Sequence, residues 1–340
     1  TEDEMKKIVL FDADKKTCDY LKKYLSERVV YQCYPFDINS DETINAVPKD
    51  AEIISIFPHS ETIKADVLDL FPKLELILTR STGYNHIDLG YMQKRGIRVA
   101  NVPNYGEITV AEFTIGLMIS LLRKVYQAKS DMKKNSIQME KYIGEDLNGK
   151  VLGVVGTGAI GRAVIRLAQA FGVRIVAYDP CPSLPDIKYV ELDELLSVSD
   201  IITLHCPATN TNNHLLNKSA FNKMKTGVYI INTARGSLIE TESLYEELKN
   251  GKIAGVALDV LENEDVLTQR EVSIQTESFD ALADSVVNLK MMQLENVIIT
   301  PHIAFNSVDA IHRILKTTLE NMQNYLNQIP FYEISQEDSL

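Results

Sequence analysis

Short runs of β-branched and aliphatic residues alternate with segments of helical periodicity along almost the whole chain. The runs fall at Lys7–Phe11, Glu52–Phe57, Leu74–Thr79, Val151–Val155, Arg174–Tyr178, Ile201–His205, Val228–Asn232, Ile253–Asp259 and Val297–Thr300. Several lack polar alternation, the pattern of strands buried on both faces of a parallel sheet. Between them Ala159–Phe171, Leu192–Val198, Lys218–Met224 and Glu240–Lys249 carry apolar residues at helical spacing, as right-handed βαβ crossovers require. The pattern predicts an α/β fold with parallel sheets. Ala111–Tyr126 reads as a helix apolar over most of its circumference, expected to be buried between domains or subunits. A polar stretch, Lys129–Gly149, precedes a fresh series starting at Val151, and the last long helix, about Ser307–Asn327, has no strand after it. The expected organisation is discontinuous: residues 1–104 plus 305–340 form one domain, into which a nucleotide-binding domain, 105–304, is inserted.

Composition narrows the class. The 340 residues are 45% apolar and 24% charged, enough for two ordinary globular cores. Thirty-five basic against 47 acidic residues give a net charge of −12, the wrong sign for a nucleic-acid partner. The most apolar stretch, Phe113–Leu122, falls short of the ~18–20 residues that a membrane span needs. No basic end leads into a long apolar run, so the expected location is the cytoplasm. Cys18, Cys33, Cys181 and Cys206 lie far apart with no CxxC pair and no Cys/His ligand spacing, which predicts a reducing compartment and no metal site.

The sharpest local signal is the strand Val151–Val155 running into Gly156-Thr-Gly158-Ala159-Ile160-Gly161, with an amphipathic helix behind it. Gly156 permits the tight turn, Gly158 lets a diphosphate approach the backbone, and Gly161 lets the helix pack closely on the strand. The next strand ends in Asp179, 18 residues beyond Gly161, where a carboxylate accepts from ribose hydroxyls and repels a 2′-phosphate. The predicted cofactor is therefore NAD rather than NADP. Gly144–Lys150 imitates the start of a nucleoside-triphosphate loop, but Val151 replaces the required Ser or Thr and the segment precedes its strand.

Three later strand ends carry chemistry. Arg235 follows Ile230–Asn232, the acids Asp259, Glu262 and Glu264 follow Val256–Leu258, and His302 follows Val297–Thr300. A guanidinium can clamp a carboxylate bidentately beside a carbonyl, and an imidazole can exchange the proton that accompanies hydride transfer. Either Glu264 or Glu262 can orient that imidazole.

These motifs (Val154–Gly161 with Asp179-Pro180, Asn232–Gly236, Gly255–Glu264 and Thr300–Ala304) resemble those of the NAD-dependent D-2-hydroxyacid dehydrogenases, over essentially the whole chain. The resemblance implies two Rossmann-like domains with a cleft between them and a homodimer built through the nucleotide domain. It implies Arg235 for the substrate carboxylate, His302 as acid/base and Glu264 as its partner. Cofactor contacts would fall on Ala159, Ile160, Asp179, Cys206, Pro207, Asn212, Thr233, Ala234 and Asp259, and substrate contacts on Thr82, Gly83 and Tyr105. About 30 residues, Asp265–Glu295, separate the acidic motif from the histidine strand, as in the D-lactate dehydrogenase branch. That branch implies pyruvate and D-lactate as substrate and product. Phe305-Asn306-Ser307 departs from the branch pattern of an aromatic pair and Thr, which leaves the choice between pyruvate and a bulkier or more polar 2-oxo acid open, and Tyr105-Gly106-Glu107 departs from Tyr-Ser-Pro. The alternatives are a dehydrogenase of larger, branched-chain-type D-2-hydroxy acids and a non-catalytic NAD-sensing protein.

Overall fold

The structure is a computed structural model that describes residues 5–24, 29–57, 62–84, 86–134, 137–263 and 279–334. It divides into two units, Thr1–Tyr105 with Ser307–Leu340, and Gly106–Asn306.

In the first unit the chain runs β1 (Lys6–Leu10), α1 (Lys15–Tyr24), β2 (Val29–Cys33), α2 (Asp41–Ala46), β3 (Ile53–Ile56), α3 (Ala65–Asp69), β4 (Leu76–Thr79), α4 (Leu89–Arg95) and β5 (Arg98–Ala100). The strands form one parallel sheet in the order β2-β1-β3-β4-β5. Ile8 and Leu10 face one apolar layer with Leu21, Leu319 and Met322, while Val9 faces the other with Ile54 and Phe71. Burial on both sides explains why the strand sequences do not alternate. Leu319 and Met322 come from the C-terminal helix Val308–Leu326, whose start is capped by the Ser307 hydroxyl accepting from the Ala310 N–H. Two strands fall outside the predicted runs. β2 sits at the sheet edge with Val30 and Tyr31 more exposed than a central strand allows, and β5 is only three residues long. Cys18 of α1 and Cys33 at the end of β2 are joined as a disulfide with Cα atoms 6.3 Å apart, and Cys181 and Cys206 are free. This pairing departs from the reduced cysteines expected of the sequence: α1 is the crossover between β1 and β2, and it brings residue 18 beside the end of β2.

In the second unit α5 (Glu107–Leu122), α6 (Val125–Lys133), β6 (Val151–Val155), α7 (Ala159–Gln169), β7 (Arg174–Tyr178), β8 (Lys188–Tyr189), α8 (Leu192–Val198), β9 (Ile201–Leu204), α9 (Lys218–Lys223), β10 (Val228–Asn232), α10 (Thr241–Lys249) and β11 (Ile253–Leu258) follow in turn. The helix Phe279–Met291 then leads to β12 (Val297–Ile299). The parallel sheet has the order β12-β11-β10-β9-β6-β7-β8, so the direction of growth reverses at β6. The single helix expected over Ala111–Tyr126 is instead two. Lys124 adopts φ +51° and breaks the run between α5 and α6. Ala111, Ile115, Met118 and Leu122 of α5 pack with Leu152 and Val164 inside this unit's own core. Among the described residues no helix is long and apolar enough to cross a membrane, and no group of three or more His, Cys, Asp or Glu is placed to hold a metal.

Candidate active site

β6 leads directly into Gly156, whose φ is +90° and where a side chain would meet the Cys206 nitrogen at 2.6 Å. At Gly161 an added Cβ would lie 2.0 Å from the Gly156 carbonyl oxygen, so helix and strand approach as only glycine allows. Gly158 differs: it caps α7 without a side-chain hydrogen bond, and an added Cβ there would find nothing within 4 Å. Ala159 and Ile160 open the helix behind it. Open space in front of unsatisfied helix-start N–H groups fits the diphosphate of a dinucleotide.

Asp179, just past β7, closes this loop from the side. Its Oδ2 accepts from the Thr157 N–H at 2.7 Å and the Thr157 hydroxyl at 2.9 Å, and its Oδ1 from the Cys181 N–H at 2.8 Å. Burial pushes the carboxyl up, but these hydrogen bonds and the Arg162 charge outweigh it and hold the group below the usual carboxylate range. An ionised carboxylate has about four lone-pair positions, so acceptor capacity remains for ribose hydroxyls. Tyr189, which donates to the Thr157 hydroxyl at 2.9 Å, escapes the sequence reading because β8 is a two-residue strand with no periodicity to mark it.

Beyond β9, Cys206 is half-buried and its thiol is pushed up to about 11 by burial, which keeps it neutral. Asn212 closes the following loop, donating to the Pro207 carbonyl at 2.8 Å and accepting from the Thr209 N–H at 2.7 Å. Beyond β10, the Thr233 hydroxyl meets that of Thr114 at 2.9 Å. Buried Asn232 accepts from the Ala234 N–H at 2.9 Å and donates to the Arg235 carbonyl at 2.8 Å, which turns the chain and leaves Arg235 exposed.

Arg235, Asp259 and His302 follow β10, β11 and β12, three neighbours in one parallel sheet, so all three stand at the same edge. Asp259 is 1% exposed. Its Oδ1 accepts from the Thr300 hydroxyl at 2.6 Å and the Ile303 N–H at 2.9 Å, and its Oδ2 from the Ala304 N–H at 2.8 Å. Burial raises its pKa despite these bonds and the nearby His302. The Asp259 carbonyl accepts from the His302 N–H at 2.8 Å, and His302 is exposed with φ +52°. The Phe305 ring stands edge-on to the imidazole at 6.4 Å. Glu264 lies outside the described residues. Glu262 is engaged elsewhere: its Oε1 accepts from His214 Nε2 at 2.5 Å and its Oε2 from the Thr241 hydroxyl at 3.0 Å. Neither His214 nor Thr241 carries a motif that sequence reasoning would notice.

The remaining candidates belong to the first unit. The backbone at Thr82 and Gly83, after β4, is held by Asn101, which donates to the Thr82 carbonyl at 2.8 Å, and by Ser81, which donates to the Gly83 carbonyl at 2.6 Å. The Thr82 hydroxyl donates to the Val102 carbonyl at 2.9 Å, and the Tyr105 carbonyl accepts from Arg313 at 2.7 Å.

The chain is similar in sequence and fold to known proteins. Residues 115–304 match the family described as D-isomer specific 2-hydroxyacid dehydrogenase, NAD binding domain. The D-lactate dehydrogenase of Escherichia coli is 37% identical over 317 residues, covering 91% of this chain and 94% of that protein. An aromatic 2-oxoacid reductase of Clostridium sporogenes is 40% identical over 256 residues, 74% of this chain and 76% of its own. The crystal structure of D-lactate dehydrogenase from Aquifex aeolicus, complexed with NAD and lactic acid, superposes with a TM-score of 0.81 at 32% identity, covering 94% of this chain and 96% of that one. With one family spanning more than half its length and a relative aligned over nearly all of it, the chain belongs to the D-isomer specific 2-hydroxyacid dehydrogenases, NAD-dependent oxidoreductases of two parallel-sheet units.

Proposed function

We propose that this enzyme reversibly reduces pyruvate to D-lactate, with Arg235, His302 and Glu264 as its catalytic residues. The placement of Arg235 and His302 on the ends of β10 and β12, in the sheet that carries the glycine loop, supports the reading most directly. The Arg235 guanidinium grips the substrate carboxylate with two parallel hydrogen bonds and draws charge from the adjoining carbonyl. His302 gives its proton to the carbonyl oxygen and recovers it in the reverse direction, with Glu264 favouring the charged imidazole. NADH, when bound, supplies the hydride. Gly156, Gly158 and Gly161 with the α7 start at Ala159 and Ile160 hold its diphosphate and Asp179 its adenosine ribose. Cys206, Pro207, Asn212, Thr233, Ala234 and Asp259 line the remainder. Thr82, Gly83 and Tyr105 serve the substrate, with 1–104 and 305–340 as the substrate domain and 105–304 as the nucleotide domain. The relatives named D-lactate dehydrogenase favour pyruvate.

A larger 2-oxo acid is the second reading, favoured by Asn306 after Phe305 and by the aromatic 2-oxoacid reductase among the relatives. Steady-state NADH oxidation across pyruvate, branched-chain and aromatic 2-oxo acids tests both. The highest kcat/KM on pyruvate supports the first; a higher value on a bulkier acid replaces it with the second. The enzyme is further proposed to act as a cytoplasmic homodimer. The exposed apolar residues Val125, Tyr126, Met132, Met139 and Ile143 on and after α6 offer the covering surface, and light scattering at assay concentration reports the mass.

A further inference from the structure

The turn that carries Arg235 is gripped from both sides. Behind it, an added Cβ at Gly236 would fall 2.1 Å from the Leu261 carbonyl carbon and oxygen and 2.4 Å from the Glu262 nitrogen, so the backbone of 261–262 lies directly against the turn. In front of it, the His214 N–H donates to the Ser237 carbonyl at 2.8 Å and the Leu216 N–H to the Leu238 carbonyl at 2.9 Å. The two flanking segments come from different crossovers, and one side-chain contact joins them: His214 Nε2 donates to Glu262 Oε1 at 2.5 Å. The second carboxylate oxygen of Glu262 takes the Thr241 hydroxyl at 3.0 Å, fixing it to the start of α10, and Asn288 donates to the Glu262 carbonyl at 3.2 Å. His214 holds φ +51°, a backbone state that a non-glycine residue keeps only where its surroundings impose it. Arg235 itself is exposed, and its Nη1 donates to the carbonyl of the adjacent Ala234, so the backbone of the turn sets the direction of its guanidinium.

We propose that His214 and Glu262 are positioning residues that close a ring around the 235–238 turn and so aim Arg235 at the substrate carboxylate. The proposal rests on Arg235 being the carboxylate-binding residue. Neither His214 nor Glu262 touches substrate; the pair acts by preventing the segments at 214–216 and 261–262 from separating. A bidentate clamp is sensitive to such loosening, because both hydrogen bonds need the fork in one plane with the carboxylate.

The test uses the full-length enzyme and four readouts: KM for pyruvate, kcat, NADH Kd by fluorescence, and melting temperature. His214→Ala should raise KM by about tenfold or more while kcat falls less and NADH Kd stays unchanged. His214→Gln, whose amide N–H still donates to Glu262, should return KM towards the wild-type value. In a Glu262→Ala background, His214→Ala should add no further rise, since the tie is already broken. An unchanged KM in His214→Ala, a loss expressed only in NADH Kd, or additive effects of the two changes would overturn the pair's role. Arg235→Lys in the same series separates the two ideas. If it leaves KM and kcat intact, the assignment of Arg235 fails; if it cripples the enzyme while His214→Ala does not, the ring alone fails.

Discussion

Asp259 holds the backbone that carries His302. Both of its carboxylate oxygens accept from residues 300–304 and its carbonyl accepts from the His302 N–H, so a buried carboxylate fixes the loop on which the imidazole stands. Asp259→Asn must turn an amide NH2 towards one set of these donors, which leaves a buried N–H unpaired. A loss of about 1–3 kcal/mol in urea denaturation is expected. A drop in kcat should accompany it as the imidazole loses its fixed position, and an unchanged denaturation midpoint would refute the bracket.

His302→Ala should lower kcat by about 10²–10⁴-fold with NADH binding intact. Arg235→Lys should lower kcat/KM for pyruvate by about 10–100-fold, the worth of one hydrogen bond to a charged group, because a single ammonium cannot replace the planar fork. Wild-type turnover in either variant removes that residue from the chemistry.

Asp179 holds the glycine loop through Thr157 and, in the proposed function, also sets cofactor choice. Asp179→Ala should raise the ratio of NADPH to NADH efficiency by about tenfold or more, since it removes the acceptor for ribose hydroxyls and the charge opposing a 2′-phosphate. The same change should lower stability at neutral pH. Because the carboxyl titrates below its ordinary 3.8 in the folded state, its contribution is complete above that pH and is lost as pH falls through the lowered value. Melting curves of wild type and variant should therefore converge in acid. A gap that persists there would assign the stability loss to packing.

Gly158 and Gly161 should part company. Gly161→Ala drives a Cβ into the Gly156 carbonyl and should destabilise the apo-enzyme by about 1–3 kcal/mol. Gly158→Ala meets no protein atom, so it should leave the denaturation midpoint unchanged and weaken NADH binding, read by fluorescence titration. Equal effects of the two on apo-enzyme stability would mean that the space before Gly158 is no cradle.

What the sequence disclosed and what it withheld follow a physical line. The glycine loop and Asp179 are legible because their geometry is set within one βαβ unit, where spacing along the chain is spacing in space. Arg235 and His302 are legible because a parallel sheet brings every strand's carboxyl end to one edge. The tie between His214 and Glu262 is set by two crossovers converging from 48 residues apart, and no local pattern announces it. Cys18 and Cys33 do share one βαβ unit, but no spacing rule for a helix residue facing the end of the next strand marks them as a pair. The break at Lys124 is opaque for another reason: apolar periodicity continues through Val125 and Tyr126 although the backbone does not.

Because growth of the second sheet reverses at β6, Asp179 stands one strand to one side of the glycine loop and Arg235 two strands to the other. At about 4.8 Å per strand the sheet acts as a ruler of roughly 14 Å between the two anchorages. On the proposed roles, one end of that ruler takes the adenosine ribose of the cofactor and the other the carboxylate of the substrate. The width of the sheet would thereby set how long a cofactor must be for its reacting ring to reach the substrate.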